Sequence, residues 1–153
     1  MKVKEIAKKE IVFCTSNDDV ATAAKFMRDH RCGFLPVVDG QGSVAGVVTD
    51  RDLSVAVAGE AHRAPERIAL KDVMSHPAVS CLPDENLKVV LGTMAKHHVR
   101  RLPVVDKHGH LQGVLSIDDI VQVPRVHGTP TAEEIVDAFK GILAPRRVEG
   151  VVA

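Results

Sequence analysis

The sequence predicts an α/β fold of the mixed α+β kind: two β-α-β-β-α repeats packed with pseudo-twofold symmetry, plus a C-terminal helix. Three observations predict it. The pentapeptide LPVVD stands at 35–39 and again at 102–106. Placing each residue against the one 67 positions later aligns FLPVVDGQGSVAGVVTDRDL (34–53) with RLPVVDKHGHLQGVLSIDDI (101–120). The match runs upstream without a gap, setting Met27 on Met94, Val20 on Leu87, Cys14 on Cys81 and VKEI (3–6) on LKDV (70–73). Self-similarity at a fixed period marks repeated supersecondary units, and neither copy is large enough to bury a good core alone.

Each copy has the same order of elements. A short β-type run (11–14; 78–81) leads into turn and cap letters (Thr15-Ser16-Asn17; Pro83-Asp84). A helix follows, with apolar spacing at Val20, Ala23, Ala24 and Met27, and at Leu87, Val90, Leu91 and Met94. LPVVD, a Gly-containing turn and a second strand (VAGVVT; LQGVLS) form a hairpin. A short final helix begins after Thr49 and after Ser116. Proline cannot donate to a ladder, so Pro36 and Pro103 are expected at a strand start or edge. The domain plan is repeat one over 1–58, a linker over 59–69, repeat two over 70–123 and a tail over 124–153. The linker reads GEAHRAPERIA, with Gly, Pro and charges but no periodicity. In the tail, Thr131 and Glu134 form a capping box opening an amphipathic helix over 131–143, with Ile135, Ala138, Phe139 and Leu143 on one face.

Composition narrows the function. Lys+Arg and Asp+Glu are both 20, so the net charge is zero and a generic polyanion binder is disfavoured. With no Trp or Tyr, stacking platforms for single-stranded nucleic acid are missing. No nucleic-acid partner is expected. Neither a signal peptide nor a membrane span can be read, and Cys14, Cys32 and Cys81 fit no disulfide framework. A cytoplasmic protein with reduced thiols and no membrane partner is the expectation.

Thr49-x-x-Asp52 and Ser116-x-x-Asp119 straddle strand-to-helix junctions. One reading is a capping box, hydroxyl and carboxylate exchanging bonds with backbone amides. The other is a ribose clamp, since a carboxylate only accepts and suits the paired 2′- and 3′-hydroxyls of a ribonucleoside. An acid there makes the helix end a poor phosphate site, so phosphate belongs elsewhere. The run His97-His98-Val99-Arg100-Arg101 is basic. His97 and His98 also suit a solvated helix end. Arg100 and Arg101 lie beyond it, where their guanidinium groups need partners and bind phosphate through paired hydrogen bonds.

With these features in place, residues 3–123 resemble the cystathionine β-synthase (CBS) domain pair, or Bateman module. The marks are LKDVMSHP (70–77), LPVVD twice, GVVTDRDL (46–53) and GVLSIDDI (113–120). The resemblance implies two clefts between paired sheets, recognition of adenine nucleotides or S-adenosylmethionine, and a homodimer. It implies ribose binding by Asp52 and Asp119 with Thr49 and Ser116. It also matches HHVRRLPVVD to the family's phosphate-contacting run, which assigns Arg100, Arg101 and His97 to phosphate. Thr15 stands where the family often has a ligand-contacting hydroxyl, but the second copy has Leu82 there. The first copy carries Gly33 and Phe34 in place of the arginines, so the clefts are not equivalent.

No helical His-x-x-x-His pair, Cys-x-x-Cys pair, P-loop, dinucleotide fingerprint or nucleophile elbow occurs, and neither a metal nor catalysis is expected. A zinc site at Cys14 and Cys81 would require the fold to bring them together. The leading reading is a stand-alone regulatory module that senses adenine nucleotide (AMP, ADP or ATP, with S-adenosylmethionine as a further ligand) and acts on an unidentified protein target. The alternative is a dimer of the same fold without a ligand, serving structure or docking.

Overall fold

The computed structural model describes residues 1–59 and 62–145; residues 60–61 of the linker and 146–153 of the tail lie outside it. In the first repeat, β1 (Cys14–Thr15), α1 (Val20–His30), β2 (Phe34–Val38), β3 (Val44–Thr49) and α2 (Asp50–Gly59) follow in order. The second repeat has α3 (Leu70–Val73), α4 (Leu87–His97), β4 (Arg101–Val105), β5 (Leu111–Ser116) and α5 (Ile117–Gln122), and α6 (Ala132–Leu143) lies in the tail. The mixed α+β architecture is the expected one.

The two helices that open the repeats are built alike. Val20, Ala23 and Met27 bury one face of α1, and Leu87, Val90, Leu91 and Met94 bury one face of α4. Their caps are Asp19, accepting from the Thr22 amide at 2.8 Å, and Asn86, accepting from the Lys88 amide at 3.0 Å. The caps therefore lie beyond the expected Thr15–Asn17 and Pro83–Asp84, which form the preceding turns. In the hairpins the Asp of LPVVD anchors the turn. Asp39 Oδ1 accepts from the amides of Gln41 and Ser43, and Asp106 Oδ1 from those of His108 and His110. Gly42 (φ 82°) and Gly109 (φ 84°) supply the left-handed residue each turn requires.

Pro103 lies in β4 of a two-stranded sheet, at an edge as expected, but Pro36 does not. β2 is the central strand of the order β1-β2-β3, and Pro36 sits in its middle, opposite Val47. It is tolerated because β1 is only two residues long and pairs in parallel from Val37 onward. In the second repeat the equivalent first strand shrinks to one bridge: the Cys81 amide donates to the Pro103 carbonyl, and Val105 donates to Cys81. The next bond upstream would need proline as donor, so the ladder stops. This shortens the strands expected over 11–14 and 78–81.

The repeats exchange their leading segments. The Lys8 amide and carbonyl pair with Val114, 67 residues before Ser75 does the same with Val47. Likewise Val3 and Leu87 bond to Glu85 and Met1, while Val20 and Leu70 bond to Ile68 and Asp18. Val3 is thus buried in the core of the second repeat, and Ile68 and Leu70 in that of the first. Ile68, next to the end of the linker, is core, not spacer. Gly46 and Gly113 permit this approach. A Cβ at Gly46 would lie 2.8 Å from the Ser75 carbonyl, and one at Gly113 would lie 2.9 Å from that of Lys8. The hairpin turns also meet, Val44 donating to Gly109 and Leu111 to Gly42.

The tail helix breaks the symmetry. Thr131 and Glu134 form the expected capping box, and α6 buries Ile135, Ala138 and Ile142 on the core that includes α4. Phe139 packs partly against that core, but Leu143 is 72% exposed, so Ile142 replaces it on the buried face. Seven residues span nearly two helical turns, placing Ile142 directly over Ile135. Where α4 offers Leu91 and Ala95, α1 carries Ala24 and Arg28, both exposed, so nothing equivalent to α6 is needed there.

Candidate functional site

Both Thr/Ser-x-x-Asp motifs form capping boxes. Asp52 Oδ2 accepts from the Thr49 amide and hydroxyl, each at 2.8 Å, and the Asp52 amide donates to Thr49 Oγ1 at 3.3 Å. In the second repeat, Asp119 Oδ2 accepts from the Ser116 amide at 2.9 Å and the Ser116 hydroxyl at 2.5 Å, with the Asp119 amide returning a bond at 3.1 Å. In both, one carboxylate oxygen serves the cap. The other oxygen of Asp119 faces away from the cap, and 3.2 Å from it lies Lys8 Nζ. The Asp119 side chain is only 12% exposed, while that of Lys8 is 70% exposed. The capping reading is therefore correct without exhausting the carboxylate.

Strand register places the cations. Arg101 pairs across the hairpin with Ser116, and Pro103 with Val114. Directly opposite residues share a face, as do residues two apart along a strand. Leu102, Val104 and Leu115 face the core of this repeat. The opposite face carries Arg101, Pro103, Val114 and Ser116, with Lys8 alongside Val114. Arg101 Nη2 stands 3.9 Å from Asp118 Oδ2, a loose pair at a partly exposed site. Arg100 is exposed, its carbonyl accepting from the Ile117 amide at 2.9 Å. His97 is exposed at the end of α4.

Thr15 ends β1 on the first repeat's sheet, its amide donating to Asp18 Oδ2 at 2.6 Å. No hydrogen bond among the described residues joins it to the Ser116–Asp119 group. The first repeat lacks the lysine and both arginines. Ser75 stands where the second repeat has Lys8, and Gly33 and Phe34 replace Arg100 and Arg101. Asp50 replaces Ile117, and its carboxylate lies so near Gly33 that a Cβ there would be 2.7 Å from Oδ2.

Lys8 is the site residue that the motif reading missed. Its signal was the mismatch with Ser75 at the repeat offset, but only the segment exchange brings it to Asp119. The exchanged segment is further clasped by Lys2 and Lys4 on Asp84, at 2.9 and 2.8 Å. The hydrogen bonds from Lys4 and Lys2 hold the Asp84 carboxyl down to about 2.

Cys14 and Cys81 do not meet: one belongs to the first repeat's core and the other to the second's. Among the described residues no group of three or more His, Cys, Asp or Glu is arranged to hold a metal ion. No helix among them is long and apolar enough to cross a membrane.

Two β-α-β-β-α units that exchange leading segments about a pseudo-twofold axis define a tandem domain pair. The chain belongs to the CBS domain family, whose domain matches residues 3–59 and 70–126. It is similar to the uncharacterized protein YlbB of Bacillus subtilis (strain 168), 37% identical over 120 residues, covering 78% of this chain and 79% of YlbB. A solved CBS domain pair of protein MJ0100, in complex with 5-methylthioadenosine and S-adenosyl-L-methionine, is 27% identical with TM-score 0.71, covering 80% of this chain and 98% of that one. CBSX2, solved in complex with AMP, shares the fold at 23% identity and TM-score 0.70, over 79% of this chain and 93% of that one.

Proposed function

We propose that this chain is a regulatory module that binds an adenine nucleotide at the second repeat, with Asp119 accepting from the ribose hydroxyls and Arg101 and Arg100 meeting the phosphate. The observation that carries the reading is the division of labour on Asp119. One oxygen completes the cap, and the other, on the hairpin face shared with Arg101, is held among the described residues only by an exposed lysine. A carboxylate whose role ended at capping needs a single oxygen; this one retains acceptor capacity for a diol. The adenosyl ligands of the MJ0100 pair and the AMP of CBSX2 support an adenosine-containing ligand. Ser116 positions the carboxylate, while Thr15 and His97 are outer contributors. Asp52 and Thr49 form a second clamp without the arginines, a weaker or vacant site for nucleotide. Ligand binding would change the module's shape or its association with a target or a second copy, with no covalent chemistry.

A ligand that binds only the folded state adds about 2.7 kcal/mol of stability at 100 times its Kd. Thermal melts with AMP, ADP, ATP and S-adenosylmethionine are expected to shift upward for at least one of them. The shift disappears in Asp119→Ala and weakens in Arg101→Ala. A flat response across all four overturns the proposal.

A further inference from the structure

We infer that Lys8 sets the charge preference of the second repeat's site, favouring a nucleoside that carries an anionic group over the uncharged nucleoside. The inference rests on the ribose reading of Asp119. Lys8 belongs to the first repeat in sequence, yet both of its backbone polar groups bond to Val114 of the second, which fixes its Cα beside β5. Register puts it on the face that carries Ser116 and Arg101. Its ammonium lies 3.2 Å from the Asp119 oxygen that a sugar hydroxyl would claim.

The pair behaves as a switchable counter-ion. Lys8 is 70% exposed, and its flexible, largely solvated side chain lets the ammonium swing from Asp119 to another anion. A hydroxyl arriving at Asp119 displaces or shares that ammonium. An uncharged nucleoside gives the lysine no anion in return, whereas a phosphate offers strong acceptors within reach of a flexible four-carbon stem. Lys8 thus disfavours the one and favours the other. The first repeat has nothing comparable: Ser75 replaces Lys8, Gly33 and Phe34 replace the arginines, and the Asp50 carboxylate stands beside Gly33. Lys8, Arg100 and Arg101 thus have no cationic counterpart at the equivalent positions of the first repeat.

The test is calorimetric titration of the full chain with AMP and with adenosine, comparing wild type, Lys8→Met, Lys8→Arg and Asp119→Ala. Lys8→Met should lower the ratio of AMP to adenosine affinity by roughly tenfold, the scale of one charge-assisted hydrogen bond, and should flatten the salt dependence of AMP binding. Lys8→Arg should retain the ratio. A urea midpoint for Lys8→Met close to wild type shows that the change is not one of folding. If Asp119→Ala abolishes binding of both ligands while Lys8→Met leaves the ratio unchanged, the role of Lys8 is overturned and the ribose reading stands. If wild type binds neither ligand, or Asp119→Ala binds both as before, the ribose reading fails and this inference with it.

Discussion

A Cβ placed on Gly113 would lie 2.9 Å from the carbonyl oxygen of Lys8, closer than real Cβ atoms approach such an atom. That carbonyl is held in place because it accepts from the Val114 amide at 3.0 Å. An added methyl must therefore push the exchanged segment off β5 or bend the strand.

Gly113→Ala is accordingly expected to destabilise the fold by about 1–3 kcal/mol, the usual cost of overpacking a close contact. Gly46→Ala should behave alike, since its methyl would meet the Ser75 carbonyl at 2.8 Å and the Met74 sulfur at 2.7 Å. Urea unfolding measures both. Wild-type midpoints would show that the exchanged segments are not firmly docked.

The buried thiols give a pH dependence with a definite sign. Burial pushes Cys14 and Cys81 up to about 12 from an ordinary value of 9.0. Below pH 9 both states keep the proton and stability does not change on their account. Between pH 9 and 12 the unfolded chain loses the proton while the folded one retains it, so stability falls by up to about 1.4 kcal/mol per pH unit for each thiol. The double variant Cys14→Ala/Cys81→Ala should show a shallower decline across that window in denaturation at stepped pH. Equal slopes would overturn the account.

At the tail helix, a Cβ on Gly141 would stand 2.7 Å from Ala95 Cβ and 3.3 Å from Ala95 Cα. Replacing a helical glycine by alanine gains about 1 kcal/mol of propensity, but overpacking costs about 1–3 kcal/mol. The expectation for Gly141→Ala is a net loss, relieved when Ala95→Gly is added. A double-mutant cycle should return a coupling of at least about 0.5 kcal/mol; additivity would mean that α6 does not rest on Ala95.

Much of this architecture was legible because the chain states it twice. The offset of 67 aligned helix with helix and hairpin with hairpin, and the Thr/Ser-x-x-Asp spacing announced both capping boxes. The misreadings have local causes. Runs of β-type residues at 11–14 and 78–81 suggested full strands, but pairing is limited by the strand opposite, where proline has no N–H to give. Leu143 fits a helical stripe begun at Phe139, yet α4 lies against the line through Ile135, Ala138 and Ile142.

By itself, the sequence determined the repeat, the order of elements, the capping boxes at Thr49, Ser116 and Thr131 and the contrast between Arg100-Arg101 and Gly33-Phe34, all of which depend on residues near one another in the chain. Tertiary structure decided that residues 1–8 dock on the second repeat and 68–75 on the first, and that Lys8 therefore reaches Asp119. The physical reason is that those contacts are backbone hydrogen bonds between segments far apart in the chain. Any residue with an amide and a carbonyl can make them, so they leave no mark on side-chain identity except at Gly46 and Gly113, where the approaching backbone leaves no room for a side chain.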